Sequence, residues 1–263
     1  MTKIKISAVS YLNAAPFIYG MNQTGIKNDI ELSLDIPSVC ADKLIHDKVD
    51  VGLIPVTAIA SLKESHIITD YCISAVGKVN SVLLFSRVPL REVKTILLDY
   101  QSHTSVQLVK ILSFHFWHIV PEFKNAYIDY ENDINGNTAG LVIGDRALLM
   151  KNNFKYSYDL SEAWYEMTSL PFVFACWVAN KKIPGRFIEK FNEALKFGVN
   201  HIDEVIAEKK NMNLSFEEMQ YYLKMNISYA LDAEKKKGMN MFLELLNDKI
   251  KLNGFSVAGP FNK

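Results

Sequence analysis

The sequence has no excess of charge of either sign. Lys and Arg total 29, as do Asp and Glu, so no net field draws the chain to nucleic acid or to an anionic membrane, and neither is expected as a partner. Cysteine is scarce. Cys40, Cys72 and Cys176 are an odd number, widely spaced and set among apolar neighbours, which argues against a disulfide framework and for three small core residues. Arginine is nearly as scarce, at Arg87, Arg91, Arg146 and Arg186, so clamping a dianion with guanidinium groups is a limited option. Arg146 beside Asp145 reads first as a surface ion pair. No stretch reaches the roughly 18 apolar residues of a membrane span. The opening MTKIKISAVS alternates lysine with isoleucine and lacks the apolar region of a secretion signal, so the expected location is the cytoplasm. The glycine patterns of dinucleotide, P-loop and serine-hydrolase sites are missing. His115 and His118 in HFWH have no third ligand type nearby and read as helix-face residues, so neither a metal nor a cofactor is expected.

What is present is a repeated plan of strands and helices in 263 residues, long enough for one large domain or two small ones with a real core. Ile4, Ile6 and Ala8 alternate with Lys3, Lys5 and Ser7, the period of a strand. Pro16 suits the first turn of the helix that comes next. IELSLDI reads as a second strand, Ser38 as the cap of a helix over VCADKLIHDKV, and DVGLIP as a buried third strand ended by Pro55. ITDYCISAV and NSVLLFSRV are two further extended segments. The plan then restarts: strand KTILLDY, polar loop QSHTS, helix VQLVKILSFHF, strand NAYIDY, then AGLVIGDRALLM as strand into helix. PFVFACWVA is a continuous strand-like run, and from Pro184 onward the chain reads as helical. Asn13 to Gly52 and Ser102 to Gly140 are nearly equal intervals, as a duplicated βαβ plan would give. Such units imply parallel sheets, and ligands then lie beyond the carboxyl ends of the strands.

That rule points at two polar loops. Ser102, Thr104 and Ser105 place three hydroxyls at a helix start. They fit a carboxylate or phosphate site at a helix amino end, and an ordinary N-cap equally well. Asn13, in SAVSYLNAAPF, is open to the same two readings, since asparagine is also a good turn residue. Ser81 stands at the start of an extended segment.

The segments SYLNAAPF, DVGLIPV, NSVLLFSRVPL, SHTSVQLVKILS, IGDRALL and DLSEAWYEMTSLPFVFACWVA together resemble the chorismate dehydratase family of the futalosine route to menaquinone. The resemblance covers about residues 3 to 180 in order; Ser169 stands where the family's signature has glycine. It implies an α/β, two-lobed fold of the type II periplasmic-binding-protein kind with a cleft between the lobes. Lobe I is expected from 1–87 with 178–263, lobe II from 88–177, with crossings near Phe85–Val88 and Trp177–Ala179. It also implies a carbon–oxygen lyase, which removes water from chorismate to give 3-[(1-carboxyvinyl)oxy]benzoate, with the substrate's own enolpyruvyl carboxylate as base. On that basis Asn13 and Ser81 are the catalytic candidates, and Tyr11, Ser102, Thr104, Ser105, Gly144 and Asp145 the substrate-binding ones. The resemblance assigns no role to His103 and leaves oligomeric state unspecified. A sister enzyme, 1,4-dihydroxy-6-naphthoate synthase, and a non-catalytic small-anion binding protein are the alternatives. The Tyr-Leu-Asn corner favours the dehydratase over the sister.

Overall fold

A computed structural model describes residues 3–209 and 213–253, with side chains as far as residue 247. Two separate sheets form, as the duplicated plan requires. The first holds β1 (Ile4–Val9), β2 (Ile30–Asp35), β3 (Val51–Pro55) and β4 (His66–Ala75). The second holds β5 (Val82–Ser86), β6 (Thr95–Leu98), β7 (Glu122–Asn125), β8 (Thr138–Ile143) and β9 (Tyr156–Asp159). The chain then returns to the first sheet with β10 (Phe172–Ala179) and β11 (Ser228–Ala230). The strand orders are β11-β4-β10-β3-β1-β2 and β7-β6-β8-β5-β9. In each sheet three strands run parallel in a 2-1-3 pattern, and an antiparallel strand extends it: β10 beside β3, β5 beside β8.

The fourth strand of each sheet corrects the expected lobe boundaries. β5 precedes the point where the sequence plan restarts, yet it pairs with β8 and β9 in the second sheet. β10 reads as the end of the second half, yet it lies between β3 and β4 in the first. The crossings therefore fall at 76–81 and 160–171; of the positions expected for them, Phe85 and Ser86 lie inside β5 and Trp177–Ala179 inside β10. Of the C-terminal part assigned to lobe I, 210–212 and 254–263 lie outside the described residues. Other local departures have simple causes. Pro37, not Ser38, begins α2 (Pro37–Ile45), with Ile36 as the uncapped flank. NAYIDY is not a strand: β7 ends at Asn125, and Asp129 adopts a left-handed conformation (φ 65°) that turns the chain.

Helices cover the first sheet from both directions of the chain. α1 (Ala15–Gln23) lies against α6 (Gly185–Val199) so closely that a Cβ on Gly20 would sit 1.9 Å from the Ala194 carbonyl oxygen, and one on Gly198 1.7 Å from that of Pro16. Phe17 on α1 meets the Trp177 ring edge-on at 5.8 Å. Along β5 successive side chains serve opposite faces: Val82 and Leu84 join the main core, while Leu83 and Phe85 join a smaller cluster with Tyr130 and Ile134. All three cysteines are buried and free. Burial pushes the Cys40 thiol up to about 12 and Cys72 to about 11, as suits core residues rather than nucleophiles.

One carboxylate fastens both crossings. Asp159 accepts N–H bonds from Val79 (3.0 Å) and Asn80 (2.7 Å) on the outward crossing. On the return it accepts from Ser161 (3.0 Å) and Glu162 (3.1 Å), capping α5 (Leu160–Thr168).

Candidate functional site

Two strand-ending loops meet at the cleft. After β1 the chain passes Tyr11 and makes a single 3₁₀ turn, Leu12–Ala14, before α1. After β6 it passes Ser102 into α3 (His103–His115). Between them lies a narrow cleft of about 520 Å³, counting its open mouth. Asn13, Ser81, Tyr11 and Gly144 line it, as do Ser102, Thr104 and Ser105. Val79, Ile143 and Phe174 supply apolar wall. His103 is exposed and outside the lining.

Asn13 is half-buried, and its Oδ1 is shielded from solvent without a partner in the protein. An open acceptor of this kind is normally completed by something bound. Its backbone carbonyl is held by the Tyr229 hydroxyl, which donates at 3.0 Å. Ser81 is 1% exposed. Its Oγ accepts from the Tyr222 hydroxyl at 2.7 Å, and its carbonyl accepts from the Gly144 N–H at 2.8 Å.

On the opposite wall Ser102 is the N-cap of α3, its Oγ accepting from the Ser105 N–H at 3.1 Å. The cap and the cleft reading thus hold together, because the capped end opens into the cleft. A helix amino end carries partial positive charge and favours an anion. The Thr104 hydroxyl lies 3.2 Å from that of Thr57, which belongs to the other lobe.

Tyr11 and Asp145, the first residue of α4 (Asp145–Met150), join the lobes. The Tyr11 hydroxyl donates to Gln101 Oε1; burial, then the Asp99 charge, raise its pKa well above that of an ordinary phenol. Gly144 has φ 66°, and a Cβ there would come 2.9 Å from the Tyr11 ring, so both its backbone angle and its space call for glycine. Asp145 is not among the residues that line the cleft. Its carboxylate accepts the Leu12 N–H at 3.0 Å, and burial raises its pKa. Nor does Arg146 pair with Asp145. It reaches Asp99 at 2.6 Å, and Glu131, within the second lobe.

Sequence reasoning missed Tyr222, Tyr229 and Asp159. The tyrosines lie far along the chain in what reads as a helical tail, and no spacing marks them. Asp159 is marked locally, as an acid just before a helical run; its reach back to Val79 and Asn80 is not.

The arrangement matches known proteins in sequence and in shape. A protein of Thermus thermophilus described as chorismate dehydratase is 28% identical over 220 residues, covering 75% of this chain and 80% of that protein. One of Campylobacter jejuni with the same description is 25% identical over 244 residues, covering 90% and 94%. Among solved structures, a protein of Archaeoglobus fulgidus superposes with a TM-score of 0.73 at 16% identity, over 95% of this chain and 98% of that one. A Candida albicans protein described as having the generic periplasmic binding protein fold gives 0.60 at 12% identity, over 95% of each. The fold is thus of the periplasmic-binding-protein kind. A profile of the family described as "Menaquinone biosynthesis" matches residues 4–248, and the chain belongs to that family.

Proposed function

We propose that the chain is an enzyme, a hydro-lyase that converts chorismate to 3-[(1-carboxyvinyl)oxy]benzoate by removing one water. The observation that carries this reading is the chemistry of the cleft wall. Among the described residues no Asp, Glu, Lys, Arg or His lines it. The one ionisable lining group, Tyr11, is held protonated by burial. A site without its own acid or base suits an elimination in which the substrate brings the base. The enolpyruvyl carboxylate takes the C3 ring proton, and the C–H electron pair becomes the new ring double bond as the C4–O bond breaks. The departing hydroxyl takes up that proton to leave as water; formation of the aromatic ring drives the step.

The protein's work is then to hold a dianion in a reactive shape and to stabilise charge as it moves. The amino end of α3, with Ser102, Thr104 and Ser105, receives a carboxylate. Asn13 and Ser81 face the reacting end; a neutral amide can donate or accept there without repelling the substrate. The names of the two curated relatives support the same substrate.

Incubation with chorismate, followed by mass spectrometry, tests it. A product lighter by one water, with aromatic ultraviolet absorption, is expected. Binding without turnover would favour a binding protein. The absence of both would favour the naphthoate synthase reading.

A further inference from the structure

Ser81 is held from behind by a residue with no place in the cleft. Tyr222 is 2% exposed and lies outside the cleft lining, yet its hydroxyl donates to Ser81 Oγ at 2.7 Å across 141 positions of sequence. It begins a π-helical turn, Tyr222–Asn226, that continues from α8 (Phe216–Tyr221), the helix that comes after α7 (Ile202–Ala207). Such turns are rare and concentrate at functional sites. The same turn is fixed to the outward crossing: Asn226 Nδ2 donates to the Lys78 carbonyl at 3.2 Å. Three residues after the turn, Tyr229 donates to the Asn13 carbonyl. One short C-terminal stretch thus supports both catalytic candidates.

The hydrogen-bond inventory turns this into chemistry. A serine hydroxyl has one proton and two lone pairs. The phenol occupies one lone pair and cannot accept the serine proton while its own proton points at Oγ. The Ser81 proton is thereby left for the cleft. Donation into Oγ also polarises the Ser81 O–H bond, making it a better donor. Burial keeps the phenol protonated, so it stays a donor across the physiological range.

We propose that Tyr222 is a positioning residue, which fixes the Ser81 hydroxyl so that its proton faces the departing oxygen of the substrate. This rests on the dehydratase reading of the cleft. Since the bond to a leaving oxygen strengthens as charge develops, the effect belongs to kcat rather than to KM.

A double-mutant cycle of Tyr222→Phe and Ser81→Ala with chorismate as substrate tests it. Tyr222→Phe should lower kcat about ten-fold, the worth of one buried hydrogen bond, with KM within about a factor of two. In the Ser81→Ala background the same change should have a clearly smaller effect, limited to the hydrogen bond Tyr222 also makes with Asn13, because the hydroxyl it positions is gone. A general packing defect would instead lower activity equally in both backgrounds, and that result overturns the proposal, as does an unchanged kcat in the single variant. If Tyr222→Phe does not fold, 3-fluorotyrosine at position 222 decides. Its stronger donor should raise kcat with KM unmoved, and no change in kcat overturns the proposal. A parent protein that leaves chorismate intact overturns the dehydratase reading and this proposal with it. A parent that turns over normally beside multiplying mutant effects overturns this proposal alone.

Discussion

Asn13 carries one of the sharpest single-residue tests. Its Oδ1 is unpartnered and its side chain touches the protein through one hydrogen bond, to Tyr222, so activity should suffer far more than stability. Asn13→Ala should stay folded, with a stability loss of about 1 kcal/mol at most, and lose roughly 10²–10³ in kcat, the scale for one transition-state hydrogen-bonding group. Asn13→Asp should lose binding as well, because it sets a negative charge against a dianion in a poorly solvated cleft. An Asp variant with parental kinetics would make Asn13 a plain turn residue. Ser169 offers the converse case. It ends α5 at φ 58° and ψ 18°, a left-handed conformation that costs a residue with a Cβ about 1–2 kcal/mol. Ser169→Gly should therefore stabilise the fold by about 1 kcal/mol without touching kcat, and calorimetry would read it. At this scale the sequence was informative wherever a polar residue came after a strand: Asn13 and Ser102 both lie where the strand rule put them. It was silent on Tyr222, because a tyrosine in a helical run looks the same whether its hydroxyl meets solvent or a serine 141 positions away.

Elements are held by two contacts that involve no apolar side chain. The α1–α6 crossing brings backbone against backbone at Gly20 and Gly198. Gly198→Ala should force the helices apart and open packing at Phe17 and Trp177, costing about 2–3 kcal/mol in a urea titration. Asp159 is the other. Removing its carboxylate in Asp159→Ala leaves four N–H donors on the two crossings without their acceptor. A loss of about 3 kcal/mol is expected from the cap and the buried donors together, with hydrogen exchange rising first at Val79 and Asn80. The strands were readable because period-two alternation and continuous apolar runs are local signals. NAYIDY misled because its adjacent strand-favouring residues, Tyr127 and Ile128, are both exposed; Asp129 turns the chain before they can pair. The partners of β5 and β10 were unreadable for a different reason: pairing is a long-range choice, and both strands suit either sheet.

For the whole molecule the question is what keeps the cleft shut. Leu12 with Asp145, Tyr11 with Gln101 and Thr57 with Thr104 are hydrogen bonds that cross it, and Asp145 makes one of them sensitive to pH. Opening the cleft would expose its carboxyl and return it to the ordinary carboxylate range; closing it raises the pKa, chiefly through burial. Between those two values the closed form holds a proton that the open form has lost. Closure is therefore favoured as pH falls through that window, and the advantage disappears as pH rises through the raised value. Small-angle scattering on acidification should show the radius of gyration contracting, and Asp145→Asn should remove the dependence. An unchanged profile in the variant would place the titrating group elsewhere.

The position of β10 also bears on how the chain is made. Everything in the second sheet lies between residues 82 and 159, so that lobe is complete while the ribosome is still adding the C-terminal helices. The first sheet, though begun earliest, has a gap at its centre, because β10 belongs between β3 and β4. Until residue 172 emerges, both of those strands present unpaired edges, β3 with wholly buried, apolar side chains. Such edges recruit other chains. The amino-terminal lobe is thus the first to be synthesised and the last to fold, and its demand for chaperones should peak while the second lobe is already finished.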